Sequence, residues 1–182
     1  MNLPNLLTCS RIVLTVFFVV FLFSPGLLFK ILALSMFLLA SLTDYWDGRL
    51  ARQSGKTSVF GEIMDPIADK VLTLSAFFSF AAMGLFSFWL AAIVALRDTL
   101  VTALRFSSSP GKQAIPVRQS GKQKTFFQIV FIVTVLLFLI WRESPVAVVG
   151  WEAGILNVIQ AGMIVVVVLT IWSGLRTILK RK

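Results

Sequence analysis

The sequence predicts an all-α, polytopic membrane protein with six transmembrane helices and both termini in the cytoplasm. Three observations predict it. Hydrophobic residues make up 58% of the 182 residues and charged residues only 14%, against roughly 25% charged in a soluble domain. The mean hydropathy of +0.91 means more apolar surface than one core of this length can bury, so lipid must solvate the remainder. The apolar residues also run in long charge-free stretches, and the 17 Lys and Arg, against 8 Asp and Glu, gather at alternate ends of them. In a soluble chain a net charge of +9 would suggest nucleic acid. Here it reads as cytoplasmic loop charge, and no nucleic-acid partner is expected.

The spans follow in order. A charge-free stretch over 12–29 is interrupted by Ser24-Pro25-Gly26, which ends the first helix. The second stretch, 31–43, runs on through Asp44 and Asp47. The third, 71–96, is 26 residues long and is divided by Gly84 into the end of one helix and the start of another. The helix after Gly84 passes through Arg97 and Asp98, and the stretches 125–141 and 153–175 supply the last two. The expected spans are therefore 6–23, 27–47, 62–83, 86–106, 124–141 and 153–175. Met1 to Asn5 carry no basic residue and no small-residue cleavage site is evident before Pro25, so the first span is expected to be a retained helix. No repeat, heptad pattern or separate soluble segment appears, and a single domain over 1–182 is expected.

Loop charge sets the orientation. With six spans, the termini and the 2–3 and 4–5 loops share one side, which holds thirteen Lys and Arg; the other side holds only Lys30 and Arg142. The richer side faces the cytoplasm.

The chemistry available is narrow. There is no His, and the one cysteine, Cys9, allows no intrachain disulfide. Acid–base or metal chemistry must use carboxylates. Four aspartates gather at the ends of spans 2 and 3: Asp44 and Asp47, three apart, and Asp65 and Asp69, four apart, so each pair shares a helix face. The short linker 48–61 makes the two spans antiparallel neighbours. Asp65 and Asp69 then lie about 6 and 12 Å beyond Gly61 at 1.5 Å per residue, at one depth with Asp44 and Asp47. Lys70 and Arg52 cannot neutralise four clustered carboxylates. Two divalent ions can, and all-oxygen ligation suits Mg²⁺, Mn²⁺ or Ca²⁺. The alternatives are ion pairs or the pathway of a small divalent-cation transporter, although a pathway favours carboxylates at mid-membrane. The surroundings suit a phosphate ligand. Gly48 and Ala51 present almost no side chain, Arg52 offers a planar guanidinium, and Gly61 opens a helix whose N-terminus favours anions. Close helix packing is the bland account of the small residues.

These residues carry a resemblance. The runs DYWDGRLAR at 44–52 and GEIMDPIAD at 61–69 match the signature D-x2-D-G-x2-A-R-x8-G-x3-D-x3-D of the CDP-alcohol phosphotransferases. Eight fixed letters at ~6% usage each give a chance match on the order of 10⁻¹⁰ per window. The resemblance implies a six-span membrane enzyme that moves a phospho-alcohol group from a CDP-alcohol to an acceptor hydroxyl and releases CMP. It implies two divalent cations, Mg²⁺ or Mn²⁺, held chiefly by Asp44, Asp47 and Asp65. Asp69 would be the base near the acceptor hydroxyl and a further metal contact. Asn5, Gly48, Ala51, Arg52 and Gly61 would bind the CDP moiety. A homodimer in a bacterial inner membrane, with its active site facing the cytoplasm, is implied in the same way.

Further segments resemble the branch of the family that joins CDP-diacylglycerol to glycerol 3-phosphate: NLPNLLTCSR at 2–11, MDPIADK at 64–70, SGKQKT at 120–125 with Gln128, and WSG at 172–174. Cardiolipin-forming and inositol-phosphate branches are the alternatives within the family. One departure is Asp98, where the family usually carries Glu after the span-4 Arg. Charge supports a phosphorylated acceptor independently. Arg105 ends span 4 and Lys122 and Lys124 open span 5, and a phosphate dianion needs about two such donors. Positive-inside charge accounts for Lys112, Arg118 and the C-terminal Lys180 to Lys182.

Overall fold

The computed structural model of the chain describes the backbone of residues 3–54, 59–106, 119–145 and 150–179, and side chains over 10–43, 67, 68, 70–103, 124–145 and 150–175. It contains six α-helices: α1 (Leu3–Phe23), α2 (Leu27–Ser54), α3 (Val59–Ala82), α4 (Phe88–Phe106), α5 (Gln119–Arg142) and α6 (Glu152–Leu179). No strand occurs among the described residues. The breaks fall where local chemistry puts them. Gly26 adopts φ 105° and Gly84 φ 76°, values that side chains with a Cβ resist. Gly84 closes α3 as a Schellman motif: Leu85 N–H donates to Phe80 O at 3.1 Å and Gly84 N–H to Ala81 O at 3.0 Å.

The largest departure from the expected boundaries is at α2. The predicted span stops at 47, whereas the helix continues to Ser54. Hydropathy falls at Asp44, but Leu50, Ala51, Arg49, Arg52 and Gln53 are all good helix formers and no proline intervenes. Gly48, Ala51 and Arg52 are therefore helical residues and not part of a linker.

The helices form two compact units. The first comprises residues 1–79 and 133–147. Its core includes α1 packed on α2, where Phe18 and Phe37, both fully buried, bring their ring centroids to 5.6 Å. The buried side of α1 also carries Arg11 and Thr15, about two turns and one turn before Phe18. The second unit comprises residues 80–132 and 148–182. It packs α4 on α6 and buries Ala91, Val94, Ile159 and Met163. Gly162 of α6 lets Phe131 of α5 approach closely: a Cβ on it would stand 2.9 Å from the Phe131 ring.

The outward faces are apolar. Val13, Val16, Phe17 and Val20 form an exposed stripe on α1, and Val158, Val165, Val168, Trp172 and Leu175 form one on α6. Thr15, Ser35, Thr43 and Thr102 hydroxyls donate back to carbonyls of their own helices at 2.8–2.9 Å, a local bond that Ser and Thr make within helices. Among the described residues two helical segments, Lys124–Arg142 and Glu152–Leu175, are long and apolar enough to cross a membrane. Ser10–Phe23, Leu27–Thr43 and Lys70–Ala82 are shorter apolar helical stretches.

Lys30 is a buried cation with a structural task. Its ammonium donates to Leu22 O at 2.7 Å and Ser24 O at 2.8 Å, capping the end of α1 where the helix dipole favours positive charge. Charge-assisted bonds of this kind contribute about 1.5–3 kcal/mol each. Lys30→Met is expected to lower the melting temperature of the detergent-purified protein clearly, while Lys30→Arg lowers it less. An unchanged melting temperature in Lys30→Met would show that the cap contributes nothing.

Candidate active site

Helical register arranges the signature residues of the first unit. On α2 the buried positions are Lys30, Ala33, Phe37 and Ala40, spaced three, four and three apart. Continuing that alternation through the same helix reaches Asp44, Asp47 and Ala51, with Gly48 and Arg52 one position to the side. On α3 the buried positions Ala68, Leu72 and Ala76 recur every four residues, with Ile67 and Val71 exposed on the other side. Gly61, Asp65 and Asp69, also four apart, fall in the same register. Both halves of the signature thus lie on the helix sides that face inward further along. The extension of α2 to Ser54 is what brings Gly48, Ala51 and Arg52 into line with Asp44 and Asp47. Asn5 lies in the first turn of α1. The side chains of Asn5, Asp44, Asp47, Gly48, Ala51, Arg52, Gly61, Asp65 and Asp69 lie outside the described residues, and no group of three metal-ligating residues occurs among the described ones.

The second unit contains a charged cluster whose side chains are described. Asp98 of α4 is 7% exposed, Lys124 of α5 is 9% exposed, and their carboxylate and ammonium form a buried ion pair. Arg97 Nη1 donates to the same oxygen of Asp98 at 3.0 Å. The guanidinium lies against α6 at Gly174, where a Cβ would stand 2.7 Å from Arg97 Nε. Gly174 is therefore a seat for the arginine, and a larger residue would displace it. One turn beyond Lys124, Gln128 is 3% exposed, and one turn before Gly174, Thr170 is fully buried. Arg97 Nε, Gln128 Nε2 and Thr170 Oγ1 find no hydrogen-bond partner among the described residues.

Of the acceptor-side residues expected from sequence, Arg105 lies in the last turn of α4 and Lys122 in the first turn of α5; their side chains lie outside the described residues. The 4–5 loop, with Lys112 and Arg118, lies outside them altogether. The register of α5 separates the two lysines. Lys124 is in line with buried Gln128, Ile132 and Val135, whereas Lys122, two residues earlier, is in line with exposed Phe126 and Val130. Sequence reasoning did not anticipate the pairing of Asp98 with Lys124. The available signal was an ionisable pair, Arg97-Asp98, inside an otherwise apolar helix, where charges are costly and seldom idle.

Comparison with known proteins bears on what this arrangement serves. The model of the CDP-alcohol phosphatidyltransferase family matches residues 1–174. The chain is 36% identical over 182 residues to the CDP-diacylglycerol–glycerol-3-phosphate 3-phosphatidyltransferase of Escherichia coli, covering 96% of this chain and 92% of that protein. It is 33% identical over 178 residues to the protein of the same name from Sodalis glossinidius, covering 95% and 91%. It is 36% identical over 165 residues to the probable phosphatidylglycerophosphate synthase of Mycobacterium tuberculosis, covering 89% and 78%. With the full signature in register on α2 and α3, and the family match extending from α1 into α6, the chain belongs to the CDP-alcohol phosphatidyltransferase family.

Proposed function

We propose that the protein is a phosphatidylglycerophosphate synthase: it transfers the phosphatidyl group of CDP-diacylglycerol to a hydroxyl of glycerol 3-phosphate and releases CMP. The observation that carries this reading is the complete signature along the inward registers of α2 and α3, in a chain similar over nearly its whole length to relatives of that name. All of 1–182 serves as one catalytic domain. Its six helices span the bacterial inner membrane with both termini in the cytoplasm, and two copies associate as a homodimer. The apolar stripes of α1 and α6 support a lipid-facing exterior.

The donor set suits hard divalent cations, because carboxylate oxygen is the ligand that Mg²⁺ and Mn²⁺ prefer. Asp44, Asp47, Asp65 and Asp69 would hold two such ions. When bound, the ions supply positive charge against the pyrophosphate and the departing CMP oxygen. The residues of the chain do the rest. Gly48, Ala51 and Gly61 let the backbone come close to the CDP moiety, and Asn5 and Arg52 bind it. Asp69 accepts the proton of the acceptor hydroxyl. The acceptor oxygen bonds to the β-phosphorus in line with the bond to the CMP oxygen, which breaks. Arg105, Lys122 and Lys124 hold the acceptor phosphate, so that the hydroxyl is presented in a fixed place.

Membranes containing the protein are expected to incorporate ¹⁴C-glycerol 3-phosphate into lipid only when CDP-diacylglycerol is present, with CMP released in equal amount. Preferential incorporation of inositol phosphate would overturn the acceptor assignment. Topology is tested separately. In a Cys9→Ser background, single cysteines at residues 1–3 or 179–182 are expected to resist impermeant reagents in intact cells and to react after lysis. Labelling from outside would reverse the orientation.

A further inference from the structure

We infer that the C-terminal end of α6 binds an anionic phospholipid: the acyl chains lie along the exposed apolar stripe of the helix, and the headgroup phosphate is held by Arg176 and the cations that follow it. The inference rests on the reading of α6 as a lipid-facing membrane span, and it uses residues to which the proposed reaction gives no part.

The face is built in zones along one line. Val158, Val165, Val168 and Trp172 are all exposed, and their spacing of seven, three and four residues keeps them on one side of the helix. The opposite side, with Ile159, Met163, Val166 and Thr170, is buried. No charged residue lies between Glu152 and Arg176. Trp172, 66% exposed, closes the stripe with an amphipathic ring, the kind of side chain that collects where acyl chains give way to headgroups. The helix continues to Leu179, so Arg176 takes the next position on the same line, about 6 Å further along the axis. Lys180, Arg181 and Lys182 follow, which makes four cations within seven residues and no Asp or Glu after Glu152.

The other end of the span has the opposite character. Trp151, immediately before α6, is 71% exposed, and it stands about 32 Å from Trp172 at 1.5 Å per residue, close to the roughly 30 Å of a hydrocarbon core. Its neighbour is Glu152, and no Lys or Arg occurs between Arg142 and Arg176. Each end thus offers an exposed indole, but only the C-terminal end offers positive charge. Charge selects the occupant. A zwitterionic lipid satisfies the apolar stripe and leaves the four cations unmatched, whereas basic clusters just beyond a membrane helix attract anionic lipid by roughly fivefold for each cation near the surface. The reaction proposed above yields an anionic phospholipid, so the ligand is of the class that the enzyme supplies.

The test places the full chain, with tryptophan retained only at 172 and Phe at 46, 89, 141 and 151, in bilayers of dioleoylphosphatidylcholine. Quenching of Trp172 fluorescence by phosphatidylglycerol with brominated acyl chains is compared with quenching by brominated phosphatidylcholine at the same mole fraction. Phosphatidylglycerol is expected to be preferred at least about fivefold, and the preference to fall towards parity in 1 M salt, where the Debye length is about 3 Å. A protein that retains only Trp151 should show no preference. Arg176→Gln/Lys180→Gln/Arg181→Gln/Lys182→Gln should abolish the preference at Trp172 and leave its quenching by phosphatidylcholine unchanged.

Equal quenching of Trp172 by the two lipids overturns the inference alone. If neither lipid quenches Trp172, the lipid-facing reading of α6 fails and the inference with it. A preference that survives the four substitutions, or that is as large at Trp151, belongs to the charge of the whole protein and not to this site. Inorganic phosphate at matched ionic strength should displace phosphatidylglycerol no better than chloride; stronger displacement would make this a site for free phosphate. Should the fourfold variant not fold, the salt dependence and the comparison with Trp151 decide the matter without it.

Discussion

Asp44→Asn, Asp47→Asn and Asp65→Asn are each expected to reduce CMP release by more than the roughly 10- to 100-fold that changes to residues behind metal ligands cause. The amide keeps the size of the carboxylate and removes its charge, which is the property that balances a divalent ion. The three positions lie on the inward registers of α2 and α3, where their backbone is helical whether or not the charge is present. The loss should therefore appear as failed catalysis and not as failed folding, with melting temperatures close to wild type. Chelation provides the parallel result. EDTA is expected to abolish CMP release and added Mg²⁺ or Mn²⁺ to restore it; full activity after exhaustive chelation would falsify the metal assignment. Asp69→Asn separates the roles within the set. If Asp69 is the base, binding of CDP-diacylglycerol survives while turnover collapses. Parallel loss of binding and turnover would make Asp69 chiefly a metal ligand.

The second large effect is expected at the acceptor phosphate. Arg105→Ala should raise KM for glycerol 3-phosphate at least tenfold, since a charge-assisted contact contributes about 1.5–3 kcal/mol. KM for CDP-diacylglycerol should change little, because the residues proposed to bind CDP lie on α2 and α3. Lys112→Ala is the control. It removes the same charge from the 4–5 loop, and if charge alone matters the two variants will behave alike. In that case the basic residues of this region serve orientation only, and the acceptor site lies elsewhere. The α5 register adds a comparison within the assignment: Lys124→Ala should cost more than Lys122→Ala, because Lys124 sits in line with buried Gln128 and Lys122 with exposed Phe126.

Much of the fold was legible because its determinants are local. The lengths of the apolar runs, the Ser24-Pro25-Gly26 break and the positive φ of Gly84 place helix ends within a few residues. The end of α2 was misplaced for a reason that is also local: hydropathy reports where a helix leaves an apolar environment, not where it stops being a helix. The candidate catalytic residues were legible because eight fixed letters at set spacing carry far more information than composition does. Lys30 shows the opposite case. Read as a loop charge, it is in the structure a buried cap on the preceding helix, and nothing in its immediate neighbours announces that.

By itself, then, the sequence determined the helical class, the order of six helices, the family signature and the residues able to bear charge. The tertiary structure decided which sides of those helices meet. Asp98 finds Lys124, and Arg97 rests on Gly174. The physical reason is rotational. Each residue turns a helix by about 100°, and a helix that is apolar nearly all round has no hydrophobic stripe to announce which side faces inward. Only packing against neighbours sets that angle, and with it the partner of every buried charge.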